Sequence, residues 1–478
     1  MKTVGIILLC LVGLFVLLLL MALVKTLLGG TKVSVYRPAA EDDRAHRYAE
    51  KLSAMVQHNT VASNEDRRTG SFLEFHKLLA QLFPLVHQHL EKTEIDGNLL
   101  YCWKGISGEK PIVLMSHQDV VPAEGEWLHG PFSGDIADGL VWGRGSADTK
   151  CSLMAIFQSI EELLAEGITP PQDVYIASSC TEEFGGDGAP KIVAELQRRG
   201  VKPYAVFDEG GAIIDEPVGG VKGLYAMVGV FEKGQGNLRF TARGRGGHSS
   251  APPRKTPLVE LSKFVCEVNK KDPFRREISR ELKAMFALLS PYSPFAYRFL
   301  FGNLWLFGGL LKAVMPMVSS QAAAMLRTSV AFTMAQGSEA CNVIPQSASV
   351  VANLRFIPHQ KKDASIAILQ KMAEKYGIET EIINGHDPSP VLDIHGEVWA
   401  LTERVIAEVF PDLPAIPYVV TGGTDCRFFH AICDHCVRFS PVVYGKEQLS
   451  GMHGLNETIS VNCLPGAVEF YKKLIQSI

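Results

Sequence analysis

The stretch from Pro111 to Lys150, PIVLMSHQDVVPAEGEWLHGPFSGDIADGLVWGRGSADTK, constrains the fold of this chain more than any other. Ile112–Met115 is an apolar run short enough to be a buried strand. It ends in Ser116-His117-Gln118-Asp119, at the edge where α/β sheets present their chemistry. Residues two apart on a strand face the same way, so His117 and Asp119 can converge on one point. Asp148 follows the Gly-rich turn Gly143-Arg144-Gly145 and precedes a helical run from Lys150. A His with an orienting carboxylate, joined by a carboxylate at a turn, is how a metal site begins. Solvated loop residues give the same local pattern, so the wider context has to decide.

That context is an alternation of strands and helices. Residues 41–90 carry helical patterning, and Leu99–Trp103 and Ile112–Met115 read as neighbouring strands. The apolar spacing between Lys150 and Ala165 is that of an amphipathic helix. Asp173–Ser178 is a buried strand running into Cys180-Thr181-Glu182-Glu183. A helix at Ala189–Arg199 follows, then a strand at Tyr204–Phe207 ending in Asp208-Glu209-Gly210-Gly211. Such alternation implies a mostly parallel sheet with helices on both faces. His117, Glu182, Glu183 and Asp208 would all lie just past strand C-termini.

At 478 residues the chain is long enough for more than one domain. Lys plus Arg number 47 against 51 Asp plus Glu, a net charge of −4, which offers no electrostatic case for nucleic acid. Of ten cysteines one, Cys10, lies in the apolar N-terminal segment, and the other nine have no regular spacing. A disulfide framework is therefore not indicated. Cys433-x-x-Cys436 reads either as half a zinc site lacking a second pair or as ordinary core thiols. Val4–Val24 is an apolar run of 21 residues between Lys2 and Lys25. At roughly 1.5 Å per residue it spans about 30 Å, a bilayer core. A signal peptide has a shorter apolar region and a small-residue cleavage site. The reading favours a retained single-pass anchor over a cleaved export signal. The flanking charges hardly differ, so they set no orientation.

The character changes near Gly229. Asn237–Arg243 alternates as a strand, then enters Gly244-Arg245-Gly246-Gly247-His248, a tight turn presenting His248. A helix at Leu258–Asn269 precedes a long apolar insert, Leu282–Leu326. Its most apolar portion, Phe299–Leu311, is 13 residues long, too short to span a membrane. It reads as a buried helix pair or as an apolar wall for a substrate tail. Strands at Val330–Thr333 and Ser347–Phe356 complete a smaller unit, and strand–helix patterning returns after it. The expected organisation is an anchor or signal at 1–30, a catalytic domain at 40–229, an inserted unit at 230–357, and the second part of the catalytic domain at 358–478. Asn456-Glu457-Thr458 matches the acceptor pattern for N-glycosylation.

Taken in order, His117-x-Asp119, Asp148 before Lys150, Glu182-Glu183, Asp208-Glu209-Gly210-Gly211, Gly247-His248 and His453 resemble the di-zinc metallohydrolases that include aminoacylase, carboxypeptidase S and succinyl-diaminopimelate desuccinylase. The resemblance covers residues 45–478. Ser116–Pro122, the apolar insert and Met325-Leu326-Arg327-Thr328 are most similar to the branch of secreted N-acyl-amino-acid hydrolase/synthases and carboxypeptidase S. Thr149 stands where that family usually has a second Asp, at a peptide bond that is typically cis.

The resemblance implies two Zn²⁺ per chain. One is held by His117 and Asp208, the other by Glu183 and His453, with Asp148 bridging. Three carboxylates leave residual positive charge on two zinc ions, which favours a zinc-bound hydroxide as nucleophile near pH 7. Glu182, not needed as a ligand, suits the general base, and Asp119 would fix an imidazole tautomer. His248 would stabilise the oxyanion in the partner subunit's site of a homodimer formed through the inserted unit. Asn342, Gly422 and Gly423 are substrate-side by the same resemblance. Arg355 reads either as a bidentate partner for a substrate carboxylate or as a surface strand residue. The implied activity is cleavage of the amide of N-acyl amino acids, or the reverse condensation. A carboxypeptidase acting on short peptides and a non-catalytic metal-binding module are the alternatives.

Overall fold

The computed structural model describes residues 2–63 and 69–478, so residue 1 and positions 64–68 of the helical stretch lie outside the described residues. The longer strands, in chain order, are β1 (Glu91–Ile95), β2 (Asn98–Trp103), β3 (Ser107–Met115), β4 (Gln172–Ser178), β5 (Ala205–Asp215), β6 (Leu224–Glu232), β7 (Gly234–Arg243), β8 (Ser329–Gln336), β9 (Ser347–Phe356), β10 (Glu379–His386), β11 (Ala415–Val420) and β12 (Cys436–Tyr444). The principal helices are α1 (Lys2–Leu28), α2 (Asp43–Val56), α3 (Thr69–Leu82), α4 (Lys150–Ala165), α5 (Gly188–Arg198), α6 (Pro257–Lys271), α7 (Arg280–Leu289), α8 (Phe295–Phe301), α9 (Leu304–Val318), α10 (Ser320–Leu326), α11 (Lys362–Glu374), α12 (Glu397–Val409) and α13 (Leu464–Gln476).

An eight-stranded sheet in the order β1-β2-β4-β3-β5-β12-β6-β11 carries the molecule. Its centre, β4-β3-β5-β12, is parallel. The pleat of β3 shows why the strand is apolar throughout. Ile112 and Leu114 enter a core with Leu52, Phe157, Val405 and Phe470 from the helices of one face. Val113 and Met115 meet Ile192 and Leu196 of α5 on the other. Fully burying each such side chain is worth roughly 1.5–3 kcal/mol.

Two expected placements change. Leu99–Trp103 and Ile112–Met115 are not neighbours, because β4 lies between them, parallel to β3 and antiparallel to β2. The helical crossover through α4 returns β4 directly beside β3, which leaves β2 only the outer edge of β4. The strand expected to stop at Phe207 continues to Asp215, and Gly211 is what lets it pass. A Cβ there would stand 2.2 Å from the Met227 carbonyl oxygen and 2.5 Å from that of Arg438, on the two flanking strands.

The smaller sheet has the order β8-β9-β7-β10. Its core joins Leu238 and Phe240 of β7 and Leu354 and Phe356 of β9 to Phe264 of α6 and Leu369 of α11. The unit therefore reaches past the expected boundary at 357, since α11 and β10 close its sheet. The apolar insert leaves it instead. Leu282, Met285 and Phe286 of α7 pack on Tyr225 and Met227 of β6 and Ile416 of β11, in the large domain. The expected buried helix pair is also only half buried. α8 and α9 meet at a bend of 107°, and Trp305 and Met317 are 54% and 85% exposed.

Candidate metal centre

The sheet delivers His117 just beyond β3. Its Nδ1 donates to the Asp119 backbone carbonyl at 2.8 Å, which leaves the Nε2 lone pair facing inward. Nε2 lies 3.2 Å from Asp148 Oδ1 and 3.5 Å from Glu209 Oε2. On the other side, His453 Nε2 lies 3.1 Å from Asp148 Oδ2 and 3.1 Å from Glu183 Oε2. Two donor groups result, His117–Asp148–Glu209 and Asp148–Glu183–His453, and in each the potential ligand atoms lie within 4.8 Å of one another. Asp148 belongs to both and turns one oxygen to each.

Asp208 is not in either group. The resemblance assigns it to the side of His117, and the structure brings Glu209 there instead. Successive residues of β5 point to opposite faces, so only one of the pair can reach the cluster. Asp208 accepts a hydrogen bond from the Cys426 backbone N–H at 2.8 Å. Asp119 is also used differently from its expected role. Its carboxylate stands 3.6 Å from His117 Nδ1. It accepts instead from the backbone N–H groups of Glu182 and Glu183, at 3.1 and 3.0 Å. The ring is oriented by the backbone of Asp119, and the turn carrying both glutamates by its side chain.

The loop bearing Asp148 depends on a residue that the sequence pattern did not single out. Glu457 accepts from the N–H groups of Gly145, Ala147 and Asp148 at 3.1, 2.9 and 2.9 Å. Its other oxygen takes Arg144 Nη1 at 2.6 Å, with both side chains buried. Glu457 is the middle residue of the glycosylation-like tripeptide, and nothing local distinguishes it from a surface acid. The Asp148–Thr149 peptide bond is cis, although Thr149 departs from the family's usual second Asp.

Electrostatically the cluster is crowded with acids. Burial is the main cause that pushes the Glu209 carboxyl up to about 8, with Asp148 adding to it. Burial, then the Glu209 charge, holds Glu182 well above the usual carboxylate range. Burial likewise raises Glu183, whose hydrogen bond to His453 only partly opposes it. His453 in turn is pushed up to about 10 by its hydrogen bonds to Asp148 and Glu183. Glu183 Oε1 is buried with no hydrogen-bond partner. A bound cation would neutralise such a set.

Beside Asp148 and Glu209 opens a cleft of about 400 Å³. Gly422 and Gly423 form part of its wall, as expected, and Met227, Met285, Met325 and Tyr418 supply its apolar side. Met285 and Met325 come from the insert. The remaining expected residues lie elsewhere. His248 and Asn342 sit on an exposed two-stranded ribbon, Gly247–His248 against Val343–Ile344, around a separate shallow depression. Arg355 is half-buried on β9, where burial, then the nearby Arg427 charge, lowers its pKa. It does not line the cleft. Cys433 and Cys436 pack in the core with Cys426, and among the described residues neither joins a donor group.

Residues 113–477 match the model of the peptidase family M20/M25/M40. The chain is 34% identical over 452 residues to the N-fatty-acyl-amino acid synthase/hydrolase PM20D1 of Xenopus tropicalis, covering 93% of this chain and 88% of that one. It is 28% identical over 492 residues to carboxypeptidase S of Saccharomyces cerevisiae, covering 90% and 84%. Among solved structures, an M20 family metallo-carboxypeptidase from Sulfolobus solfataricus superposes with a TM-score of 0.69 at 17% identity, over 91% of this chain and 99% of that one.

Proposed function

The chain belongs to the peptidase family M20/M25/M40, whose members are metal-dependent hydrolases, and from that premise we propose that it cleaves the amide bond of N-acyl amino acids. The reverse condensation uses the same groups. The observation that carries this reading is the apolar cleft directly beside Asp148 and Glu209. It suits an acyl tail better than a second charged residue.

The donor set fits a pair of divalent ions. His117 and Glu209 would hold one, Glu183 and His453 the other, with Asp148 shared. Imidazole and carboxylate donors without sulfur suit zinc, and Glu183 keeps a buried oxygen, Oε1, with no hydrogen-bond partner. When bound, such ions polarise a carbonyl and make water more acidic.

The chain's own groups do the rest. Glu182 precedes the ligand Glu183 and is held by the same Asp119 carboxylate. Free of a ligand role, its carboxylate is assigned the water proton. Glu182 then passes that proton to the departing amine, so the base is regenerated in each turnover. Gly423 and Thr424 border the cleft, and the Thr424 backbone N–H is fixed by Glu232 at 2.5 Å. His248 and Asn342, exposed on their ribbon, have no task within their own chain. In this reading they complete the site of a second copy, where His248 of the partner subunit donates to the oxyanion. α1 is a membrane anchor or export signal.

The test is a matched series of long-chain N-acyl amino acids, N-acetyl amino acids and dipeptides, each with and without a chelator. Chelator-sensitive hydrolysis that favours the long acyl chain is expected. Faster cleavage of dipeptides would move the assignment to a carboxypeptidase. Turnover of no substrate by metal-loaded protein would leave a non-catalytic module. Elemental analysis should find two equivalents of zinc per chain and one in Glu209→Ala.

A further inference from the structure

The outer surface of α8 and α9 is apolar where a soluble protein would be polar. Phe295, Trp305, Leu310, Met317 and Val318 are 49%, 54%, 54%, 85% and 78% exposed. The inner surface is conventional, since Phe301 and Leu311 are buried against Ile278, Met285 and Phe286. The two helices together are long and apolar enough to cross a membrane, yet they are bent by 107°. A bent pair of seven and fifteen residues cannot cross as one straight span. It can lie along a surface.

Its place in the molecule says which surface. α1 is long and apolar enough to cross a bilayer, and most of its residues are exposed. It meets the body at its C-terminal turns, and it meets it at this bend. Asn303 Nδ2 donates to the Ala22 carbonyl at 3.2 Å and to Thr26 Oγ1 at 3.0 Å. Lys25 Nζ donates to the Gly302 carbonyl at 2.8 Å, and the Arg298 guanidinium donates to the Thr31 hydroxyl. Whatever depth the end of α1 takes in a bilayer, α8 and α9 share it. Lys25, Lys32 and Arg298 stand at that level, with the Lys32 ammonium 5.9 Å from the Tyr292 ring centre. Cations and a half-exposed tryptophan beside an apolar face are the composition of a bilayer interface.

We propose that α8 and α9 form a second, monotopic membrane contact that lies in the bilayer interface beside α1. The contact seats the body against the lipid through Trp305, Leu310, Met317 and Val318. It also brings α7 and α10, which supply Met285 and Met325 to the apolar wall of the cleft, close to the lipid surface. The contact itself does not depend on which amide the enzyme cleaves.

The test uses the full chain in vesicles of equal parts phosphatidylcholine and phosphatidylserine, with and without brominated acyl chains, reading tryptophan fluorescence. α1 contains no tryptophan, and the first in the chain is Trp103, which is buried. Of the other tryptophans Trp399 is buried and Trp127 and Trp142 are half-buried, so the contact is read as the difference in quenching between the wild type and Trp305→Phe. Brominated vesicles should quench the wild type, and Trp305→Phe should abolish most of that quenching. The double variant Leu310→Glu, Met317→Glu, which keeps Trp305, should also lose it while its circular dichroism is unchanged. An unquenched wild type, or equal quenching in Trp305→Phe, overturns the proposal. Trp305 shielded from lipid, with an oligomer that dissociates on Leu310→Glu, also overturns it and assigns the face to a second copy of the chain.

Discussion

The tripeptide Gly-Arg-Gly occurs at 143–145 and again at 244–246, each time a few residues before a candidate site residue. The two copies have opposite fates. Arg144 is 2% exposed and paired with Glu457, and the turn around it donates three backbone N–H groups to the same carboxylate. Arg245 is exposed, as is His248 beyond it, and the ring Nδ1 of His248 has only Ser250 at 2.9 Å. One turn is fixed by a residue 312 positions away, and the other is held by a two-residue ladder and the backbone bonds that flank it, from Gly244 to Gln346 and from Ser249 to Asn342. The difference separates a turn locked by a buried carboxylate from one left exposed. Local sequence creates the turn, and a distant partner decides whether it is rigid.

The sharpest break in that comparison comes at Glu182. Glu182→Gln should keep both metals and the fold, and lose about 100- to 10,000-fold in turnover, because it removes proton transfer alone. Retained activity with unchanged metal content would show that another group is the base.

Removing the distant partner tests the rigid turn. Glu457→Ala leaves Arg144 as an uncompensated buried charge and should cost about 3–5 kcal/mol of stability in urea unfolding. A loss below about 1 kcal/mol would mean that water satisfies Arg144, and that the turn holds without its carboxylate.

His248→Ala should lower turnover by about 100- to 1,000-fold if it donates to the oxyanion, with little change in stability. Mixed with Glu182→Gln under conditions where mixed dimers form, it should recover activity. In such a dimer one site has both the base and the donated imidazole, and the other has neither. Activity no higher than the sum of the separate variants would confine His248 to its own chain or remove its role.

The smallest effect belongs to the exposed copy of the turn. Arg245→Ala should change stability by no more than about 0.5 kcal/mol, an order of magnitude below the Glu457 variant. A larger loss would mean that this turn has a partner of its own.

The sequence by itself determined the elements and most of the chemistry. Helix α4 runs from Lys150 to Ala165 where its apolar period placed it, and β4 and β7 start one and three residues before their expected limits and end on them. His117 and Asp148 stood out from their strand-end and turn positions, Glu183 and His453 only through the resemblance that the ordered motifs carry, and the fold brings all four together. Periodicity carries that much because it records which face a residue must bury. Tertiary structure decided what periodicity cannot encode. It chose Glu209 over Asp208, since adjacent residues of one strand face opposite ways and only packing says which way is in. It set β4 between β2 and β3, drew α11 and β10 into the smaller sheet, and turned the apolar side of α9 outward. It also gave Glu457 a role that no local pattern announces. Each of these depends on contacts between segments far apart in the chain, and their free energy appears only when both partners are in place.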